Sequence, residues 1–118
     1  ALNIPTLHSK YLKFFSDYKF KKKLAVLDLK QLNRRKFEYY AGRGTEEEYK
    51  QEPFDLKVLK SDLSMYIESD SQVRDLQIKI DMYDIILEYL ESVIRMINNR
   101  SFQIKNAIEF MKFNSGLG

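Results

Sequence analysis

The stretch Arg34-Arg35-Lys36-Phe37-Glu38-Tyr39-Tyr40-Ala41-Gly42-Arg43-Gly44 places four cations and three aromatic rings within eleven residues and closes on two glycines. Lys and Arg side chains neutralise phosphates, while Phe and Tyr rings offer flat faces on which unpaired bases stack. Interleaved, the two types suit single-stranded nucleic acid better than a duplex, which keeps its base faces hidden. A plainer arrangement accounts for the same pattern. On a helix, Phe37 and Tyr40 serve as core residues, with Arg34, Arg35 and Lys36 on a solvated face. Tyr39 and Tyr40 are thus candidates for base stacking or for helix packing.

Charge is segregated along the chain. Residues 1–43 hold eleven Lys or Arg against three Asp or Glu, a net +8, whereas residues 44–118 hold nine against fourteen, a net −5. Such asymmetry is an electrostatic footprint for polyanions. Midway along the basic part, Lys21, Lys22 and Lys23 wrap most of a helical turn, as a solvated stripe or as a secondary phosphate contact. Other chemistries find no residues to carry them. Cysteine and tryptophan are absent, so disulfides, thiolate metal sites and cysteine nucleophiles are excluded. His8 is the only histidine, which leaves no His-based metal site or triad. Glu46, Glu47 and Glu48 are consecutive, so on a helix they point in different directions and make a poor metal site. Gly42-x-Gly44 lacks the strand and third glycine of a dinucleotide loop. The expectation is a non-enzymatic protein without cofactor or metal. No apolar run approaches the length of a membrane helix.

The elements that must position these residues read as all-α. From Thr6 to Ala41 there is no Gly or Pro, and apolar residues recur at Leu7, Tyr11, Phe14, Tyr18, Ala25, Leu32 and Tyr39. One long helix stopping at Gly42 is expected. At 1.5 Å per residue its length of about 54 Å is long for a small domain and predicts packing against other chains. Gly44 to Pro53 reads as a turn and linker, with Thr45 capping an acidic first helical turn. Asp55 to Ile67 reads as a second, shorter helix with Leu56, Leu59, Leu63 and Tyr66 on one face. The clearest period comes last. Val73, Leu76, Ile80, Tyr83, Leu87, Leu90, Ile94, Ile97, Ser101, Ile104, Ile108 and Met111 alternate three- and four-residue steps, and eleven of the twelve are apolar. Ser69 or Ser71 is the expected cap and Asn114-Ser115-Gly116 the expected stop, with Asn98-Asn99 a candidate break. A second apolar set, Ile78, Met82, Ile85, Ile86, Tyr89, Val93 and Met96, lies off that seam. A helix apolar on two faces needs partners on both. One face can take the chain's own first helix and the other neighbouring subunits, the alternative being a monomeric three-helix core.

Asn33 to Gly44 resembles the basic-hydrophobic-Tyr-Tyr-small-Gly-Arg-Gly signature of the UvsY family, the recombination mediators of T-even-type phages. Upstream, Ser9-Lys10-Tyr11-Leu12 is similar to the family's Ser-Lys-aromatic-Leu. Downstream, Arg100-Ser101-Phe102-Gln103-Ile104-Lys105 resembles Arg-Gly-Phe-Ala-Ile-Lys, and Phe113 to Gly116 supplies a closing aromatic-x-x-Gly. The anchors fall in order over nearly the whole chain.

The resemblance implies an all-α chain in which a long N-terminal helix packs with C-terminal heptad-patterned helices. It implies assembly into a ring-like homo-oligomer, a hexamer or heptamer, through the C-terminal part. Here that role falls on Ile80, Tyr83, Leu87, Leu90, Ile94, Ile97, Ile104, Ile108 and Met111. It further implies binding to single-stranded DNA, to the phage recombinase UvsX and to the phage single-strand DNA-binding protein, in the cytoplasm of the infected bacterial host. The mediator loads the recombinase onto strands already covered by the binding protein. The family's cationic DNA contacts fall on Arg34 and Lys36. Arg35 departs from the pattern, standing where the family has a small residue, and the N-terminal lead-in is short. Arg43 joins the phosphate-neutralising set. On this reading residues 1–44 bind DNA and partners, residues 45–70 form an acidic linker with a short helix, and residues 71–118 drive oligomerisation. The rival reading is a helical scaffold or adaptor whose basic face meets an acidic protein.

Overall fold

The structure, a computed structural model, describes residues 4–117. Two long helices, α1 (Ile4–Tyr40) and α4 (Ser71–Leu117), account for most of it, joined through the short helices α2 (Glu46–Gln51) and α3 (Leu63–Glu68). No strand occurs among the described residues. Among them, too, no helix is long and apolar enough to cross a membrane.

Helix α1 runs unbroken because nothing in it interrupts the ladder, and it ends where the first glycine makes ending cheap. Gly42 adopts φ +81°, a conformation costly for residues with a Cβ. Its N–H donates to the Tyr39 carbonyl (3.2 Å) and that of Arg43 to the Glu38 carbonyl (2.8 Å). These two bonds form a Schellman motif, which satisfies carbonyls the helix would otherwise leave bare. Helix α2 starts shortly beyond it. Thr45 Oγ1 accepts from the Glu48 N–H (3.2 Å), while Glu48 Oε1 accepts from the Thr45 N–H (3.4 Å), a reciprocal capping box.

The second short helix differs from expectation. Residues 53–59 are non-helical, and only a 3-10 turn (Lys60–Asp62) leading into α3 is wound. Leu56 and Leu59, expected on one face of that helix, are 63% and 70% exposed. Phe54 explains the difference. Its ring lies 5.0 Å from Tyr40 and 5.9 Å from Tyr66, and that anchoring holds the chain extended against the local period.

Helix α4 passes straight through Asn98-Asn99 and through Asn114-Ser115-Gly116. The C-terminal region is therefore one helix rather than several, and Gly116 is not its stop. Its cap is neither Ser69 nor Ser71. Asp70 Oδ1 accepts from the N–H groups of Gln72 (2.9 Å) and Val73 (3.1 Å), while the Ser69 hydroxyl turns back to the Met65 carbonyl (2.8 Å).

The chain divides into two compact units. In the unit spanning Lys21–Tyr83, Ala25, Leu32 and Tyr39 of α1 are buried at seven-residue intervals, together with Leu63, Val73 and Ile80. The other unit combines α1 up to Phe20 with the chain from Asp84 onward. There Leu90 is buried, whereas Leu87, Ile94, Ile97 and Ile104 are half-buried. Of the remaining expected seam residues, Tyr83 is half-buried, and Ile108 and Met111 are exposed. Much of the off-seam set is exposed as well: Ile78, Met82, Ile85, Tyr89 and Met96 all present large apolar surface.

Candidate nucleic-acid interface

The basic-aromatic stretch occupies the last turns of α1 and the corner leading to α2. Its tyrosines face inward. Tyr39 is buried and donates its hydroxyl to the Glu52 carbonyl at 2.6 Å. The Tyr49 ring stacks on it (5.2 Å, 18° between planes), and the Lys36 ammonium lies 5.5 Å from its centroid. The Tyr40 ring packs edge-on to both Tyr39 and Phe54, each at 5.0 Å. Its hydroxyl donates to Asp70 Oδ2 at 2.6 Å.

Tyr49 fastens the glycine corner. Its hydroxyl donates to the Tyr39 carbonyl (2.7 Å) and accepts from the Gly44 N–H (3.0 Å). A Cβ on Gly44 would lie 3.1 Å from this ring, so the close approach requires glycine or a displaced tyrosine. The Tyr-Tyr-x-Gly-Arg-Gly run thus turns the chain: Tyr39 and Tyr40 tie the corner to Glu52 and Asp70, Gly42 reverses the helix end, and Gly44 makes room for Tyr49.

The cations are distributed unequally. Arg34 and Arg35 are exposed on α1. They line different clefts. Arg34 faces one shared with Ser64, Ile67 and Glu68, and Arg35 one of about 480 Å³ that includes Glu48, Gln51, Glu52 and Gln72. Arg43 is exposed, with its guanidinium 5.6 Å from the Phe37 ring centroid. Lys21 and Lys23 are exposed and Lys22 half-buried. Lys36 is held inside the corner. Its side chain is only 12% exposed, and its ammonium sits 3.2 Å from Asp70 Oδ2.

Asp70 is therefore the hub of the corner, binding Tyr40, Lys36 and the first turn of α4 through its two oxygens. In the sequence Asp70 stands between the two serines expected as caps. The available signal was its position directly before the apolar period, where Asp caps as well as Ser does. Burial pushes the Asp70 carboxyl up, but the Tyr40 hydroxyl, the Val73 N–H and Lys36 outweigh it and hold the group below its ordinary value of 3.8. Burial raises the Tyr40 phenol first, and the hydrogen bond to Asp70 and its charge add to the shift. Burial likewise raises Tyr39, followed by the charge of Glu52.

The lowered Asp70 value fixes the sign of its linkage to pH. The unfolded chain takes up this proton before the folded chain does. The contribution of Asp70 is therefore complete above the unfolded value, about 4, and is lost as pH falls through the lower folded value. Acid titration followed by far-UV circular dichroism should show the wild type losing stability more steeply below pH ~4 than Asp70→Asn, which has no proton to take up there. Equal acid limbs would remove Asp70 from the linkage.

The family model described as recombination, repair and ssDNA binding protein UvsY matches residues 1–117. The recombination protein uvsY of Enterobacteria phage T4 is 26% identical over 117 residues, covering 98% of this chain and 82% of that protein. A crystal structure of the bacteriophage T4 recombination mediator protein UvsY superposes with a TM-score of 0.79 at 23% identity, covering 96% of this chain and 83% of that one. A second lattice of the same protein gives 0.78 at 23% identity, covering 97% and 80%. At such identity the superpositions speak for the fold, and the family match over nearly the whole sequence speaks for kinship. By that match, the chain belongs to the UvsY family of recombination, repair and single-stranded-DNA-binding proteins.

Proposed function

We propose that this chain is a non-enzymatic recombination mediator. It binds single-stranded DNA through the basic part of α1 and loads a UvsX-type recombinase onto strands covered by the phage single-strand binding protein, in the cytoplasm of the infected host. Family membership across residues 1–117 carries this reading. Exposed Arg34 and Arg35 at the end of α1, with Arg43 beyond the turn and the Lys21–Lys23 run, supply the charge for phosphates. Tyr39 and Tyr40 support the site by packing, since both hydroxyls are engaged within the corner.

Assembly into a ring of six or seven subunits completes the proposal. The exposed apolar side chains of α4, Ile85, Tyr89, Met96, Ile108 and Met111 among them, suit burial against further copies. Ile80 and Leu90 are buried within the single chain and would support that surface from beneath. Several subunits on one strand multiply weak sites by effective concentration, without any new kind of contact. A strand drawn around such an assembly holds the binding protein less well and becomes available to the recombinase.

Fluorescence anisotropy of a labelled oligonucleotide over a salt series tests the DNA step. Single strands should compete better than duplex. Arg34→Ala/Arg35→Ala should weaken binding and flatten the plot of log affinity against log salt by about 0.7 for each phosphate no longer neutralised. Recombinase assembly on precoated strands, with and without this protein, tests the loading step. An oligomer that binds neither nucleic acid at low salt would favour the adaptor reading instead.

A further inference from the structure

We infer that the cleft between the end of α1 and α2 seats an unpaired base bearing an exocyclic amino group, so that this chain holds a strand by a base edge as well as by phosphates. The inference deepens the DNA-binding reading above and rests on it. The cleft is about 480 Å³, and all of its lining belongs to the Lys21–Tyr83 unit. On the α1 side it carries Arg35 and Lys36, the cations that a phosphate seeks. On the α2 side it carries Glu48 and Glu52, where a phosphate moving inward would meet like charge. A base is neutral and meets no such barrier. Carboxylates accept from the amino group of cytosine, and a glutamine amide pairs in bidentate fashion with adenine. Gln51 and Gln72 add two such amides to the lining.

These groups stand on fixed backbone. The Glu52 carbonyl accepts from the Tyr39 hydroxyl at 2.6 Å, and its N–H donates to the Glu48 carbonyl at 2.9 Å. The Gln72 N–H is anchored on Asp70 at 2.9 Å. Arg35, Gln51, Glu52 and Gln72 are exposed, and among the described residues no ion pair closes Arg35 or Lys36 onto Glu48 or Glu52. Buried Leu32 and Tyr39 give the cleft an apolar floor for a ring. Arg35 and Lys36 then meet the phosphate of the seated nucleotide. A duplex keeps its pairing edges occupied, so the same seat selects single strands.

Fluorescence anisotropy on the intact chain would compare three labelled strands of one length: all-cytosine, all-thymine and abasic. Cytosine and thymine share a ring size, but only cytosine presents an amino group. The wild type should bind the cytosine strand about fivefold more tightly than the thymine strand, the low end of what a base-edge contact discriminates. The abasic strand should bind most weakly. Glu52→Ala/Gln72→Ala changes two exposed side chains and spares their backbone bonds. It should abolish the cytosine preference while holding abasic affinity at or above the wild-type level. Arg35→Ala should weaken all three strands together, flatten the log–log salt slope by about 0.7 and keep the preference. Equal wild-type affinities for the three strands would overturn the inference, as would a cytosine preference that survives the double substitution. The first comparison needs only the wild type, so it decides even where circular dichroism shows a variant unfolded. A wild type that binds none of the strands removes the DNA-binding reading itself, a result distinct from tight binding without preference.

Discussion

Asp70→Ala is expected to destabilise the fold by about 3–5 kcal/mol, the range found when one partner of a buried charge pair is removed. Three losses coincide. The Lys36 ammonium, on a side chain 12% exposed, is left without its carboxylate. The Tyr40 hydroxyl loses its acceptor at 2.6 Å. The first turn of α4 loses a cap that Gln72 and Val73 both use, and replacing such a cap by alanine typically costs about 1 kcal/mol by itself. These terms overlap, so the total is not their sum. A drop in Tm of roughly 10–20 °C is the expected reading for a domain of this size. Matched protein concentrations are needed, because association shifts apparent stability. Asp70→Asn should keep the cap, and so recover only about 1 kcal/mol of that loss. A loss below about 1 kcal/mol for the alanine variant, no more than the cap alone, would mean that the corner does not depend on this carboxylate.

Tyr39→Ala should be as damaging, by a different route. Tyr39 is 6% exposed, and its ring meets those of Tyr40, Tyr49 and Phe54 at centroid distances of 5.0, 5.2 and 5.7 Å. Truncation leaves a cavity among rings that cannot collapse into it, with an expected cost of about 3–5 kcal/mol. Tyr39→Phe keeps the ring and removes only the bond to the Glu52 carbonyl, about 0.5–1.5 kcal/mol. Chemical denaturation at constant slope separates the two. The same pair tests the role of the ring towards DNA. A packed ring predicts that Tyr39→Phe binds oligonucleotide as the wild type does, and that Tyr39→Ala loses binding only where it loses helix. A folded Tyr39→Ala with greatly weakened binding would instead make the ring a stacking platform.

Local chemistry was legible in the sequence wherever it alone decided the structure. Nothing between Thr6 and Ala41 opposes a helix, Gly42 supplies the reversal that ends it, and Thr45 with Glu48 supplies a capping box. The period of α4 was equally plain, and Asn98-Asn99 did not interrupt it because packing and propensity on both sides agree. Reading failed where distant residues decide. Asp55 to Ile67 has the spacing of a helix, but Phe54 is claimed by Tyr39, Tyr40 and Tyr66, and the ring cluster outweighs the period. Ser69 and Ser71 were as plausible as Asp70 until Lys36 and Tyr40 were brought to the same place. Gly116 can occupy right-handed helical geometry as readily as left-handed, so it did not have to stop α4. The candidate interface was half legible. Its cations were visible as a segment, but which of them face solvent and which is held by an internal carboxylate is a property of the fold.

The order in which the corner can assemble is set by its spacing along the chain. Gly44 and Tyr49 are five residues apart, Tyr49 and Tyr39 ten, and Tyr39 and Glu52 thirteen, whereas Tyr40 and Asp70 are separated by thirty. Loop-closure entropy grows with the logarithm of loop length, and a ten-residue loop closes in about 10–100 ns. The stacked tyrosines and the glycine turn can therefore close while α4 is still searching for its place. On that order Asp70 would dock at a seat already built by Lys36 and Tyr40, and its bonds to Tyr40 and to the Gln72 and Val73 amides join the end of α1 to the first turn of α4.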